Sequence, residues 1–124
     1  MPGDPAVRAL RGATTVDADT VEQVTERVQE LLGTMMERNG LVEDDVISAL
    51  FTATPDVVSM FPATAARGMG FADVPLIGAA EIDVKGATPR CIRVLLHVTT
   101  TRARRDVRHV YLHEAQGLRN DLAG

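Results

Sequence analysis

The chain has 124 residues, 45 per cent of them hydrophobic and 24 per cent charged, and a formal net charge of −4. That is one domain of ordinary size, able to bury roughly two thirds of its unfolded surface without disulfide or metal staples. Three Phe, one Tyr and no Trp make the core aliphatic and argue against stacking on single-stranded nucleic acid, while the acidic balance disfavours nucleic acid or an anionic membrane as a general partner. The single cysteine, Cys91, excludes an internal disulfide and suits a reducing compartment. With no signal-peptide pattern and no stretch of membrane-spanning length, a cytoplasmic protein is expected.

The first six residues, with two prolines and a glycine, read as a loose tail. Residues 7–16, VRALRGATTV, are rich in small and β-branched residues and predict a strand that frays toward its end. The strongest signal follows. Val21, Val24, Val28, Leu31, Leu32, Met35 and Met36 recur at helical spacing, with Glu22, Glu26, Arg27, Glu30 and Glu37 on the other face. Asp19 with Glu22 predicts a capping-box-like start and Asn39-Gly40 a stop, so one long amphipathic helix is expected, its two methionines filling the core.

VISALFTAT (46–54) is a mostly apolar run closed by Pro55 and predicts a covered strand. FPATAARGMG (61–70) predicts a short helix begun near Pro62 and ended by Gly68 or Gly70. VPLIGAAEIDV (74–84) is extended, KGATP turns, RCIRVLLHVTT (90–100) is a long strand, and RHVYLHEA (108–115) a last one before a GLRNDL tail. The order implies an α+β fold: a mixed five-stranded sheet with one long and one short helix on one face, in a single domain over 1–124. Two helices cover one face only, so the other needs a partner, and oligomerisation supplies it.

Within CIRVLLHV (91–98), Ile92, Val94, Leu96 and Val98 share one face of the strand, and Cys91, Arg93, Leu95 and His97 the other. Arg93 therefore points away from the helix-packed core. A guanidinium in the middle of a strand needs an anion; Glu81 on the preceding strand is the plain structural candidate. Arg11 in the first strand, Arg67 at the end of the short helix, Arg119 in the tail and the lone Tyr111 widen the choice: several cations against one clear acid suggest a site for a small polyanion. RARRDVRH (102–109) is a solvated basic loop or an anion-attracting rim. Other chemistry is thin. His109 and His113 would face one another only on a helix, Cys91 has no obvious activating base, Ser59 lacks a nucleophile-elbow context, and no glycine-rich phosphate loop is present.

RALRGATTVDADT, FTATPDVVSMFPATAAR, VPLIGAAEIDV, CIRVLLHV, RHVYLHEA and LRNDL resemble, in order and spacing, the monofunctional chorismate mutases of the Bacillus type (the AroH class), from about Val7 to Leu122. The resemblance implies a trimeric pseudo-α/β barrel with active sites in the clefts between subunits, and no cofactor or metal. It implies that Arg93 donates to the breaking ether oxygen of chorismate and that Glu81 accepts from the ring hydroxyl. Arg11 and Tyr111 would bind the enolpyruvyl carboxylate. Phe61 and Arg67 from a neighbouring subunit would close the cleft, Ala63, Thr64, Ile77 and Gly78 would also contact the substrate, and Leu118 and Arg119 would cover the entrance when the tail (116–124) orders. Thr64 stands where close relatives often carry a lysine, Gly78 where some carry a cysteine, and Asn120 where the tail commonly has a proline. Two other readings share these features: the imine/enamine deaminases, also trimeric with an arginine at an intersubunit cleft, and a metabolite-sensing trimer that binds an anion without turnover.

Overall fold

The computed structural model describes residues 3–122, with the backbone alone for 119–122. Strand β1 (Ala6–Thr15) is followed by helix α1 (Val21–Arg38), β2 (Val46–Ala53), helix α2 (Pro62–Arg67), β3 (Leu76–Ala80), β4 (Cys91–Thr100) and β5 (Val110–Tyr111), with 3₁₀ segments at Glu43–Asp45, Arg104–Asp106 and His113–Leu122. The strands form one mixed sheet in the order β3-β2-β4-β1-β5. Central β4 is antiparallel to both neighbours, whereas β3 and β5 run parallel to theirs. This is the predicted α+β architecture.

The core is one cluster, aliphatic except for Phe51 and Phe71. Val24, Val28, Leu31, Leu32 and Met35 of α1 and Ala63, Ala65 and Ala66 of α2 pack with Leu10, Phe51, Ile92, Val94, Leu96 and Val98 of the sheet. Each large side chain so buried contributes about 2 kcal/mol of transfer free energy, and both helices draw on the same sheet face. A Cβ at Gly12 would collide with the Met35 sulfur and crowd Val94 Cγ1, so glycine is what lets α1 sit this close to β1.

Some local readings shift. Thr20, not Asp19, caps α1: its Oγ1 accepts from Gln23 N at 3.1 Å, while the Gln23 side chain accepts from Ala18 N at 2.9 Å. Asp19 is taken by the backbone N–H groups of Val58 (2.9 Å) and Ser59 (3.1 Å), tying the helix start to the loop after β2. At the other end the expected stop holds, with Gly40 at φ 63° and Asn39 Nδ2 donating to Met35 O at 2.8 Å. Arg27, expected on the solvent face, is buried; it donates to Thr15 O and pairs with Asp17 at 2.9 Å, stitching α1 to the end of β1.

The two ends of β1 are the reverse of the sequence expectation. Its first residues are partly exposed and Gly12 to Thr15 are buried, because only that end has β5 beside it as well as β4. β5 is shorter than predicted. Only Val110 and Tyr111 join the ladder; His113 then takes a left-handed φ of 52°, which ends the extended run and starts the 3₁₀ segment. Likewise the extended stretch 74–84 is a ladder strand only over Leu76–Ala80.

Candidate active site

Register builds the site. Thr52 of β2 lies opposite Arg93 of β4, Arg93 opposite Ala13 of β1, and Ala13 opposite Tyr111 of β5, so these four form a row across one sheet face. Leu50, Leu95 and Arg11 form the next row on that face. Together with Leu118 from the 3₁₀ segment they line a cleft of about 240 Å³ on the side away from the helices. Ala13 matters by being small, since a larger side chain there would fill the floor between Arg93 and Tyr111.

Glu81 follows β3 directly, and its backbone N–H donates to Ala53 O at 3.1 Å. Its Oε2 accepts from Thr52 Oγ1 at 2.7 Å and meets Arg93 Nε at 3.1 Å. The Glu81 side chain is 14 % exposed and the Arg93 side chain 44 %. The plain structural candidate and the functional one are therefore the same residue: Glu81 is the ion-pair partner of Arg93, and the pair borders the cleft. A bond through Nε fixes the plane of the guanidinium, which leaves a planar fork for a bidentate anion contact.

Tyr111 lines the cleft, and its hydroxyl is buried with no partner among the described residues. Such an orphan is costly unless a ligand satisfies it. Cys91 lies two residues from Arg93; burial pushes its thiol up to about 11, against the pull of Arg93 and with Glu81 reinforcing burial. It stays a thiol at neutral pH and is no nucleophile. Among the described residues, no group of three or more His, Cys, Asp and Glu is placed to hold a metal ion, and no helix is long and apolar enough to cross a membrane. His109 and His113 go separate ways: His109 Nδ1 accepts from Arg11 N at 2.9 Å, and His113 Nε2 meets Glu30 Oε1 at 2.8 Å.

The remaining predicted residues are not in this cleft. Phe61 and Gly78 line a second hollow of about 460 Å³, bounded by residues 51–55, 57–62 and 78–80 and sharing Thr52 with the first. Phe61 is 77 % exposed and Ile77 is 65 % exposed. Thr64 and Arg67 are exposed on α2, and Ala63 is buried beneath it in the core. The Arg119 side chain lies outside the described residues. Within one chain the predicted site is thus divided: Arg93, Glu81, Arg11, Tyr111 and Leu118 come together, Ile77 extends the Leu50–Leu95–Arg11 row on the same sheet face without lining the cleft, and Phe61, Thr64, Arg67 and Gly78 lie elsewhere. Sequence reasoning put Leu95 on the Arg93 face without naming it in the site, and missed Thr52, Ala13 and Leu50. Cross-strand register alone places them, though the alternation Ser48, Leu50, Thr52 marks a strand face that is not core.

Two arginines, an unpartnered phenol and one carboxylate, with no activated nucleophile among the described residues, form an arrangement chemically able to hold an anion and to meet negative charge as it develops. The chain belongs to the family of type I chorismate mutases, whose family model matches residues 7–122. It is 47 % identical over 117 residues to a protein named chorismate mutase AroH from Thermus thermophilus, covering 94 % of this chain and 96 % of that one. It is 41 % identical over 118 residues to the protein of the same name from Bacillus subtilis (strain 168), covering 94 % and 93 %. A solved chorismate mutase from Clostridium thermocellum superimposes with a TM-score of 0.86 at 48 % identity, covering 88 % of this chain and 97 % of that one.

Proposed function

We propose that this protein converts chorismate to prephenate, a step of aromatic amino acid biosynthesis, in the cytoplasm. The observation that carries this reading is the Arg93–Glu81 pair, with Arg93 in one row with Tyr111 and its orphan hydroxyl. In the rearrangement an ether C–O bond breaks as a new C–C bond forms, in one cyclic shift of electrons. No proton is transferred and no covalent enzyme intermediate is needed, which fits a site without a nucleophile.

The protein's task is then twofold. It holds the dianion in its compact reactive conformer, and it places positive charge where the ether oxygen becomes electron-rich. Arg93 meets the ether oxygen. Glu81 orients Arg93 through Nε and accepts from the ring hydroxyl. Arg11 and Tyr111 bind the enolpyruvyl carboxylate, and that contact satisfies the phenol. Leu118 and Arg119 cover the mouth of the cleft.

The active form is a homotrimer. In it the exposed Phe61 and Arg67 of one subunit complete the cleft of the next, with Thr64, Ile77 and Gly78 at its edge, while Ala63, buried under α2, serves only to seat that helix. This accounts for two otherwise unexplained features: a half-built cleft within one chain, and Val58, Phe61, Ile77 and Ile82 left exposed. The test is loss of chorismate absorbance on adding purified protein, with the product identified as prephenate. Chorismate that stays intact would leave the anion-sensing trimer as the surviving reading.

A further inference from the structure

Arg11 sits just before the ladder between β1 and β5, which begins at Gly12 and is only two residues long. Its backbone N–H would otherwise meet no strand partner on that side. The side chain of His109, immediately before β5, fills the gap: Nδ1 accepts from Arg11 N at 2.9 Å. A histidine accepts at Nδ1 only as the neutral ring carrying its proton on Nε2. Partial burial, and secondarily the Arg11 guanidinium, hold the His109 pKa below its ordinary value and so favour that form. The charged groups beside it are cations, Arg11 across on β1 and Arg108 next in the chain; no ion pair joins a carboxylate to it among the described residues.

We propose that His109 is a positioning residue for Arg11, an imidazole that continues the sheet ladder by one bond and thereby fixes the strand from which the substrate's carboxylate is held. This rests on Arg11 binding that carboxylate, as proposed above. Protonation turns the acceptor into a donor facing another donor and adds a positive charge beside Arg11. The strand edge then loses its tie, and the carboxylate anchor loosens. The effect falls on substrate binding and leaves the chemical step alone, because Arg93 on β4 and Glu81 just after β3 keep their pairing.

The experiment measures kcat and KM from mildly acid to mildly alkaline buffer for the wild type, His109→Leu, His109→Asn and Arg11→Ala, with circular dichroism as a check of folding. His109→Leu removes the acceptor and is expected to raise KM about tenfold, the worth of one hydrogen bond, with kcat within about threefold. His109→Asn places an oxygen near the Nδ1 position without a titrating group. It should recover most of that loss and flatten the rise of KM that the wild type shows as pH falls. A KM unchanged in His109→Leu while Arg11→Ala raises it overturns the proposal alone; a KM unchanged in Arg11→Ala overturns the reading of Arg11 as well. Should His109→Leu not fold, the wild type against His109→Asn still decides, since an equal acid rise in both means His109 is not the group.

Discussion

The two faces of β4 are built from alternate residues of one short segment and meet opposite fates. Ile92, Val94, Leu96 and Val98 lie under the helices, none more than 3 % exposed. Arg93, Leu95 and His97, one residue out of phase, stay partly open, and Arg93 is held by the carboxylate of Glu81, just after β3. The helix-facing half is an ordinary aliphatic core whose cost of disruption is read in stability. The other half is charged and half-covered, and carries the Arg93–Glu81 pair of the proposed site. Function and folding are thus separated by the pleat of a single strand, and substitutions should separate them too.

The largest effect should come from Arg93→Ala. Losing one donor aimed at developing negative charge costs about 3 to 4 kcal/mol in the transition state, and a charged donor in a closed cleft at least that. kcat is expected to fall by roughly a thousandfold or more, while Tm and oligomeric state hold, because no helix-facing residue is touched. Arg93→Lys keeps the charge and loses the planar fork, so it should restore only part of the rate. If the alanine variant unfolds, Glu81–Arg93 is a structural pair and the separation of the two faces fails.

Next comes a mixing test of the divided site. Arg11→Ala and Arg67→Ala subunits should each be nearly inactive alone. Unfolded together in equal amounts and reassembled, they should regain about a quarter of wild-type activity, because a cleft that draws Arg11 from one subunit and Arg67 from another is intact in one pairing of four. No recovery would mean that both arginines serve the same subunit's cleft. Sedimentation of a fully active monomer would end the trimer reading outright.

Leu96→Ala tests the buried face. It should cost about 3 kcal/mol of stability through lost transfer energy and a cavity beneath α1, read as a lowered denaturation midpoint. kcat at a temperature where the protein is still folded should change less than about threefold. A large loss of kcat in a folded protein would show that the core face tunes the site and that the pleat does not insulate one from the other.

The legibility of the molecule in its sequence follows the same division. The heptad-like run in α1 and the alternation in β4 are periodic signals tied to one core, and periodicity alone is enough to place the helix, the strand and the outward direction of Arg93. Family resemblance adds the residue roles. What the sequence hides depends on register and on short-range competition. Ala13 and Thr52 enter the cleft only because they pair with Arg93. Asp19 loses the cap to Thr20 because two loop N–H groups claim its carboxylate. Arg27 is charged and at a plausible surface position, yet is drawn in by a strand carbonyl and Asp17. Each of these is a tertiary partner that a one-dimensional pattern does not encode.

The smallest expected effects are those of pH. Asp56 is held below the usual carboxylate range by the Thr54 hydroxyl and, secondarily, by Arg90 N–H, where the chain turns into β4. A carboxyl depressed in the folded state stabilises above its unfolded pKa, and that contribution is lost as pH falls through the folded value. Asp56→Asn should therefore lower Tm slightly at neutral pH, with the difference from wild type shrinking in acid. kcat should move least of all. The rearrangement uses no general acid or base, and Cys91, at about 11, remains a thiol across the neutral range. Saturating chorismate should give a kcat that varies less than about twofold across neutral pH, the acid dependence expected of His109 appearing in KM alone. A bell-shaped kcat profile, or an acid limb in kcat that His109→Asn or His97→Asn removes, would place a proton transfer in the chemical step and overturn the division between a face that holds and a face that folds.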